Sequence, residues 1–377
     1  MKKKLSLVLV TVLVLSLFLT GCGQDTSEIK VGSVFPVSGD IATFGKSSVN
    51  ATNLAFEQFN AKGGLNGRKL KLYNEDNQSK AEETATAFQK LINQEKVVAI
   101  LGSVASSHSL AGAPLAQGAK IVMISPTSTN PKVTEVGDYI FRACFIDPFQ
   151  GEVMARFATN DLKAKKAAII IEQESDYAKG LAQFFEAAFV KAGGTIVAKE
   201  NFSKDDKDFT TILTRVKAAT PEVVFIPSYY NTVGPILKQA KEQVQLNATF
   251  LGGDGWDSPD LFSLAGAAAN GGFFSNHYSP EADTPEVKAF IAAYKAKFNE
   301  TPDALAALAY DAANLLIAAM QKAGSTENVK LRDALAGISF TGVSGTIKFD
   351  ANRNPIKSAV VIEIKDSKQV YKTTVKP

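Results

Sequence analysis

Apolar positions along this chain fall into two alternating rhythms, a short run with β-rich character and a longer stretch at helical spacing. Ile29 to Val37 is such a run; Val49, Thr52, Phe56 and Phe59 then recur at helical spacing until Lys62-Gly63-Gly64 supplies a stop. The pattern predicts further strands at 69–73, 97–101 and 121–124, with helices around Phe88 and Leu91 and from Ser106 to Gly118. A second series begins near Asp147: a helix to about Leu162, a strand at 167–171, and a helix from Leu181 to Lys191 with Phe184, Phe185, Ala188 and Phe189 inward. It continues with strands at 195–202, 223–226, 249–251 and near Gly272 to Phe274, and with helices over 209–219 and 233–244. From Pro285 the chain turns strongly helical, and it ends in β-like stretches at 345–349, 358–364 and 369–373.

Such alternation predicts α/β architecture, with parallel sheets covered on both faces. Two similar series without a low-complexity linker predict two doubly wound βα lobes with a parallel sheet core each. The expected division is 28–146 plus 279–349 against 147–278 plus 350–377. The lobes would be joined by a three-crossing hinge near Phe145, Asn276 and Asp350.

Composition adds little to this for the body of the chain and much for its start. With 377 residues, 45% of them apolar and 21% charged, there is enough chain for two cores. Lys2-Lys3-Lys4 followed by the apolar stretch Leu5 to Phe18 has the makings of a secretion signal, and Leu19-Thr20-Gly21-Cys22 resembles the bacterial lipobox. Residues 1–21 are therefore expected to be removed, Cys22 to be acylated and anchored to the membrane, and 22–27 to act as a tether. Later runs fall short of a transmembrane helix. The formal net charge of +3 is matched by the three leader lysines, which leaves the remainder near neutrality and gives no footing for a nucleic-acid partner. Cys144 lacks a disulfide partner once Cys22 is lipidated, and reads as a small core residue. The two histidines, His108 and His277, have no acid or cysteine at ligand spacing, so neither a metal site nor a cofactor is expected.

Ligands of open α/β sheets sit beyond the carboxyl ends of the strands. Those positions hold Pro36 to Gly45, Gly102 to Ser109, Ile124-Ser125-Pro126-Thr127-Ser128-Thr129-Asn130-Pro131, Glu172 to Tyr177, Pro227-Ser228-Tyr229-Tyr230 and Gly252 to Asp257. One series offers hydroxyls without charge, the other acids and aromatics. A Walker A loop in Gly39 to Ser47 is excluded, because its first glycine stands one position too early. No Gly-x-Ser-x-Gly elbow or sequence-adjacent His–acid pair supports an enzyme.

From residue 28 to the end the chain resembles the type I periplasmic binding proteins, in particular the leucine/isoleucine/valine-binding group that serves ABC importers. The resemblance is carried by Asn60-Ala61-Lys62-Gly63-Gly64-Leu65-Asn66-Gly67-Arg68-Lys69-Leu70, by Ser103 to Ser107, by Ser125-Pro126-Thr127, by Asp176-Tyr177 and by Lys207-Asp208-Phe209. It implies that Ser106, Thr127 and Thr129 hold a ligand's α-carboxylate and help hold its ammonium, and that Asp254 pairs with the ammonium from the other lobe. Phe44, Tyr177 and Tyr229 would line the pocket, with Ser103, Ser107 and Trp256 as further candidates. Chemically, a zwitterion needs such partners: hydroxyl and N–H donors for one end, one carboxylate for the other. The sequence departs from the family pattern at Gln78 and Ala105, where a disulfide is aligned in some members, and at Ala178, where glycine is usual; Asp254 stands where some members have glutamate. The implied function is that of an extracytoplasmic solute-binding lipoprotein, a monomer anchored to the outer face of the cytoplasmic membrane or in the periplasm, that binds a branched-chain or aliphatic amino acid between its two lobes for the permease and ATPase subunits of an ABC importer; the alternative is an amino-acid or amide sensor of the same fold, signalling to a membrane partner.

Overall fold

The computed structural model describes residues 28–377, so the expected signal over 1–21, the expected lipidation of Cys22 and the expected tether over 22–27 lie outside the described residues. The strands form two sheets of related design. In the first, β1 (Ile29–Val34), β2 (Leu70–Glu75), β3 (Ala99–Gly102), β4 (Val122–Ser125) and β5 (Ile140–Arg142) run parallel in the order β2-β1-β3-β4-β5. In the second, β6 (Lys166–Glu172), β7 (Thr195–Phe202), β8 (Val223–Phe225), β9 (Thr249–Gly252) and β10 (Phe273–Asn276) repeat that order in parallel. The central strands β3, β4, β8, β9 and β10 are buried along their whole length apart from Thr249, as helices on both faces require.

Each sheet has the expected parallel core, and the second carries antiparallel strands at one edge. The second sheet is mixed, because β13 (Ala359–Lys365) pairs antiparallel with β10 and β14 (Lys368–Val375) pairs antiparallel with β13. Two residues, Asp366-Ser367, connect these last strands, both with positive φ, and so tight a turn permits only a hairpin. A small hairpin, β11 (Ser339–Gly342) with β12 (Gly345–Lys348), stands apart.

The chain passes between the sheets three times, at 143–146, 277–284 and 349–358. Between the second and third passages the helix Ala304–Ala323 packs along Ala42–Ala61 on the first sheet. Among the described residues it is the one helix long and apolar enough to cross a membrane, which the sequence reading had not credited, but it is mostly buried inside the protein. Its apolarity serves a core in which Leu305, Leu308, Leu315 and Leu316 are buried.

Candidate functional site

The carboxyl ends of the two sheets face each other, and the loops that follow their strands meet across a narrow cleft. From the first half come Phe44, Val104, Ser106, Thr127 and Leu305; from the second come Tyr177, Tyr229, Asp254 and Gly255. Together they enclose a cavity of ≈ 10 Å³, room for about one water. A chamber of ≈ 240 Å³ lies on the far side of Tyr229, lined among others by Glu172, Lys204 and Asn231. A wider hollow of ≈ 830 Å³ opens beside the cleft near Tyr278 and Tyr294, and one of ≈ 400 Å³ lies between the helix Ala42–Ala61 and the β11–β12 hairpin; neither contains the convergent groups described next.

The first half presents backbone donors. β3 ends at Gly102, whose φ of +133° turns the chain into the helix Ser106–Gly118. The N-cap residue Ala105 offers no side-chain cap to that helix, so its first N–H groups are left for partners across the cleft. Ser106 Oγ accepts from Asn130 N–H at 3.3 Å, and Thr127 Oγ1 donates to Val104 C=O at 2.9 Å. Neither hydroxyl caps a helix; each ties one loop to the next. Ser125 and Ser128 do the same more deeply, donating to Ser103 C=O at 2.9 and 3.1 Å. Arg142, fully buried at the end of β5, clamps the Ser128 and Asn130 carbonyls from behind.

The second half presents one carboxylate in a fixed cradle. Asp254 is 6% exposed, and its Oδ1 accepts from Tyr177 Oη at 2.8 Å and from Gln150 Nε2 at 3.1 Å. Its Oδ2 faces His277 Nε2 at 3.0 Å. A carboxylate has about four acceptor positions. Three are taken, and one, on Oδ2, is left for a ligand. The Tyr177 and Tyr229 rings stack at 5.1 Å, and Phe44 meets Tyr229 edge-on at 6.1 Å, so aromatic faces wall the cavity. Burial, reinforced by the nearby acids, raises both phenols well above the ordinary tyrosine value, which keeps them neutral donors. Ser106 N–H meets the Tyr229 hydroxyl, so in this arrangement the tyrosine stands on the helix terminus.

The remaining candidates lie outside the lining. Thr129 is buried, and its hydroxyl faces the Asp147 carboxyl without closing a full hydrogen bond. Burial holds that carboxyl up at about 7. Ser103 Oγ donates to Val34 C=O at 2.9 Å behind the strand, and Ser107 Oγ accepts from Asp176 N–H at 2.9 Å, bridging the halves. Trp256 is fully buried with its indole N–H on Ile226 C=O at 3.0 Å, tilted against Phe274; it fills the core and not the cavity. His277, which has no acid at ligand spacing in the sequence, comes within hydrogen-bond reach of Asp254, distant in the chain. Gln150, Leu305 and His277 were missed as site residues. Only His277 carried a usable signal, its place directly after a strand. Among the described residues no cluster of His, Cys, Asp and Glu suits a metal.

Comparison with known proteins gives a consistent picture. The family model described as "Periplasmic binding protein" matches residues 28–369. A leucine-, isoleucine-, valine-, threonine- and alanine-binding protein of Pseudomonas aeruginosa is 30% identical over 324 residues, 85% of this chain and 86% of that one. Among solved structures, a leucine binding protein from Thermotoga maritima superposes with TM-score 0.89 at 37% identity, covering 93% of this chain and 99% of that one. A branched-chain amino acid transporter substrate binding protein from Streptococcus pneumoniae, in complex with isoleucine, gives 0.88 at 34% identity, covering 93% and 100%.

Proposed function

The chain belongs to the periplasmic binding protein family, and from that premise we propose that it binds an amino acid of the branched-chain or aliphatic class between its two halves and delivers it to an ABC importer. It is a solute-binding protein and not an enzyme, in line with the relatives it matches, and its place is outside the cytoplasm. The observation that carries the amino-acid reading is the opposition of charges in one cavity. An uncapped helix terminus faces a buried carboxylate that has one acceptor position to spare. These are the two poles of a zwitterion. The aromatic and leucine walls between them suit an apolar side chain.

A cavity of ≈ 10 Å³ does not admit an amino acid as the side chains stand. Binding therefore requires the halves to part at the three crossings and to reclose on the ligand, with Tyr229 giving way. A ligand that touches both halves favours the closed form by its differential affinity. Acylation at Cys22 would hold the protein, a monomer, at the membrane beside its permease; incorporation of labelled fatty acid, abolished by Cys22→Ser, tests this.

A thermal-shift screen of the twenty amino acids, small amides and 4-methylpentanoate at neutral pH tests the binding reading. Leucine, isoleucine or valine should raise the melting temperature, whereas 4-methylpentanoate, which is leucine without its ammonium, should have little effect. Equal stabilisation by both would contradict the role assigned to Asp254.

A further inference from the structure

His277 follows β10 and is 4% exposed, its ring stacked on Phe145 with centroids 3.7 Å apart. Its Nε2 lies 3.0 Å from Asp254 Oδ2, and its Nδ1 is buried without a hydrogen-bond partner. This fixes the tautomer. With the proton on Nδ1, two acceptors would face each other at Nε2, so the neutral ring carries its hydrogen on Nε2 and donates it to the carboxylate. A second proton would create a buried N–H with no acceptor, in addition to the cost of burying a charge.

From these contacts we propose that His277 is a positioning residue for the ligand's ammonium: as a neutral donor it holds Asp254 Oδ2 in place, and when protonated it repels the ligand from that oxygen. The proposal rests on the amino-acid reading above. The geometry leaves the ammonium no other place on Asp254, because Oδ1 is taken by Tyr177 and Gln150 while Oδ2 bears His277 alone. A protonated ring would put one cation in contact with the oxygen that must receive another. The charged groups facing His277 are Asp254 and Asp257 in the loop after β9 and Lys357 in the last passage between the sheets. Burial is the largest influence and holds the imidazole below its ordinary value, with Lys357 acting the same way and the two aspartates opposing. Asp147 reaches Asp254 through Gln150 and titrates nearby, so the test must separate it from His277.

The sign follows from linkage. The ligand's ammonium depresses the His277 pKa further, so affinity is full above the pKa of the free protein and falls as pH drops through it. Calorimetry with L-leucine on the wild type, His277→Gln and His277→Leu, at about pH 7.5 and about pH 5, reads this out. The wild type should weaken about threefold or more on acidification, since a ring held below its ordinary pKa is only partly protonated at about pH 5. His277→Gln, whose amide donates to the same oxygen but does not titrate, should bind within about threefold of wild type at neutral pH and lose the pH dependence. His277→Leu should bind about tenfold more weakly at neutral pH, because the carboxylate loses a donor. A pH profile unchanged in His277→Gln would overturn the proposal and assign the titration to Asp147. Histidine NMR of the wild type provides a check that needs no variant at this position, since the sequence holds two histidines. Leucine should lower the apparent pKa of His277, and an unmoved value would also overturn the proposal. Failure of the wild type to bind any amino acid at neutral pH would instead overturn the underlying reading, and this one with it.

Discussion

Asp254 concentrates the chemistry of the site in one side chain. Asp254→Ala would remove the proposed partner for the ammonium together with the acceptor for Tyr177, Gln150 and His277. Leucine affinity should fall by about 3 kcal/mol, roughly a hundredfold or more, with a lower melting temperature because buried donors are left unpaired. An unchanged dissociation constant in calorimetry would rule the role out. Cys144 is the opposite kind of residue, inert by placement. Its buried thiol donates to Ser128 C=O at 3.3 Å and is pushed up to about 12. In protein lacking Cys22, thiol reagents at about pH 8 should label Cys144 only as fast as the chain unfolds, and rapid native-state labelling would contradict its burial. At this scale, Phe44, Ser106, Thr127, Tyr177, Tyr229 and Asp254, which the family resemblance implies and which all lie beyond the carboxyl ends of strands, line one cavity. A place beyond a strand does not say which way a side chain turns, so Thr129, Ser103 and Trp256 looked equivalent and are not. Gln150 and Leu305 reach the site on helices whose tertiary position no local pattern encodes.

The element that sets the site's tolerance is the turn after β9. A Cβ at Gly253 would lie 2.4 Å from Tyr177 Oη and 2.8 Å from Leu181 Cδ2, so Gly253→Ala must displace Tyr177 from Asp254. We expect about 1–3 kcal/mol lost in stability and a leucine affinity lower than in Tyr177→Phe, which drops the hydroxyl but keeps the ring. Equal affinities for the two variants would show that the turn yields without cost. Strands and helices with strong periodicity, such as Ser106–Gly118 and Thr195–Phe202, were readable from the sequence alone. The strand Ile140–Arg142 and the helix Asn328–Ala336 were not. The strand is three residues long and leads into a passage between sheets; the helix buries only Leu331, Ala334 and Leu335, too few to show a period. The antiparallel pair β13–β14 was seen as strands but not as partners, since pairing direction is a tertiary fact.

Across the whole molecule, the halves are held together by a few polar contacts as well as by the site. Asn130 Nδ2 donates to Asp176 C=O at 2.8 Å, Thr43 Oγ1 meets Asp260, and Asp257 Oδ2 accepts from Ala304 N–H at 2.7 Å. The last of these satisfies the first N–H of the helix Ala304–Ala323, whose N-cap is Asp303, from the opposite half, so Asp257→Ala should weaken leucine binding several-fold although Asp257 does not line the cavity. Small-angle scattering should show a smaller radius of gyration with leucine than without it, and an unchanged radius would argue against closure. The two-sheet layout could be read from the sequence because the two series of strands and helices repeat, whereas the closeness of the cleft could not, since it depends on how loops distant in the chain pack together. Binding of an amino acid between the halves is tested by calorimetric titration of L-leucine, L-isoleucine and L-valine into the wild-type protein at neutral pH. Saturable binding of at least one of them is expected at one site per chain, with a dissociation constant of about 1 μM or tighter, near −8 kcal/mol; no saturable heat with any of the three would rule out an amino-acid-binding site of this class.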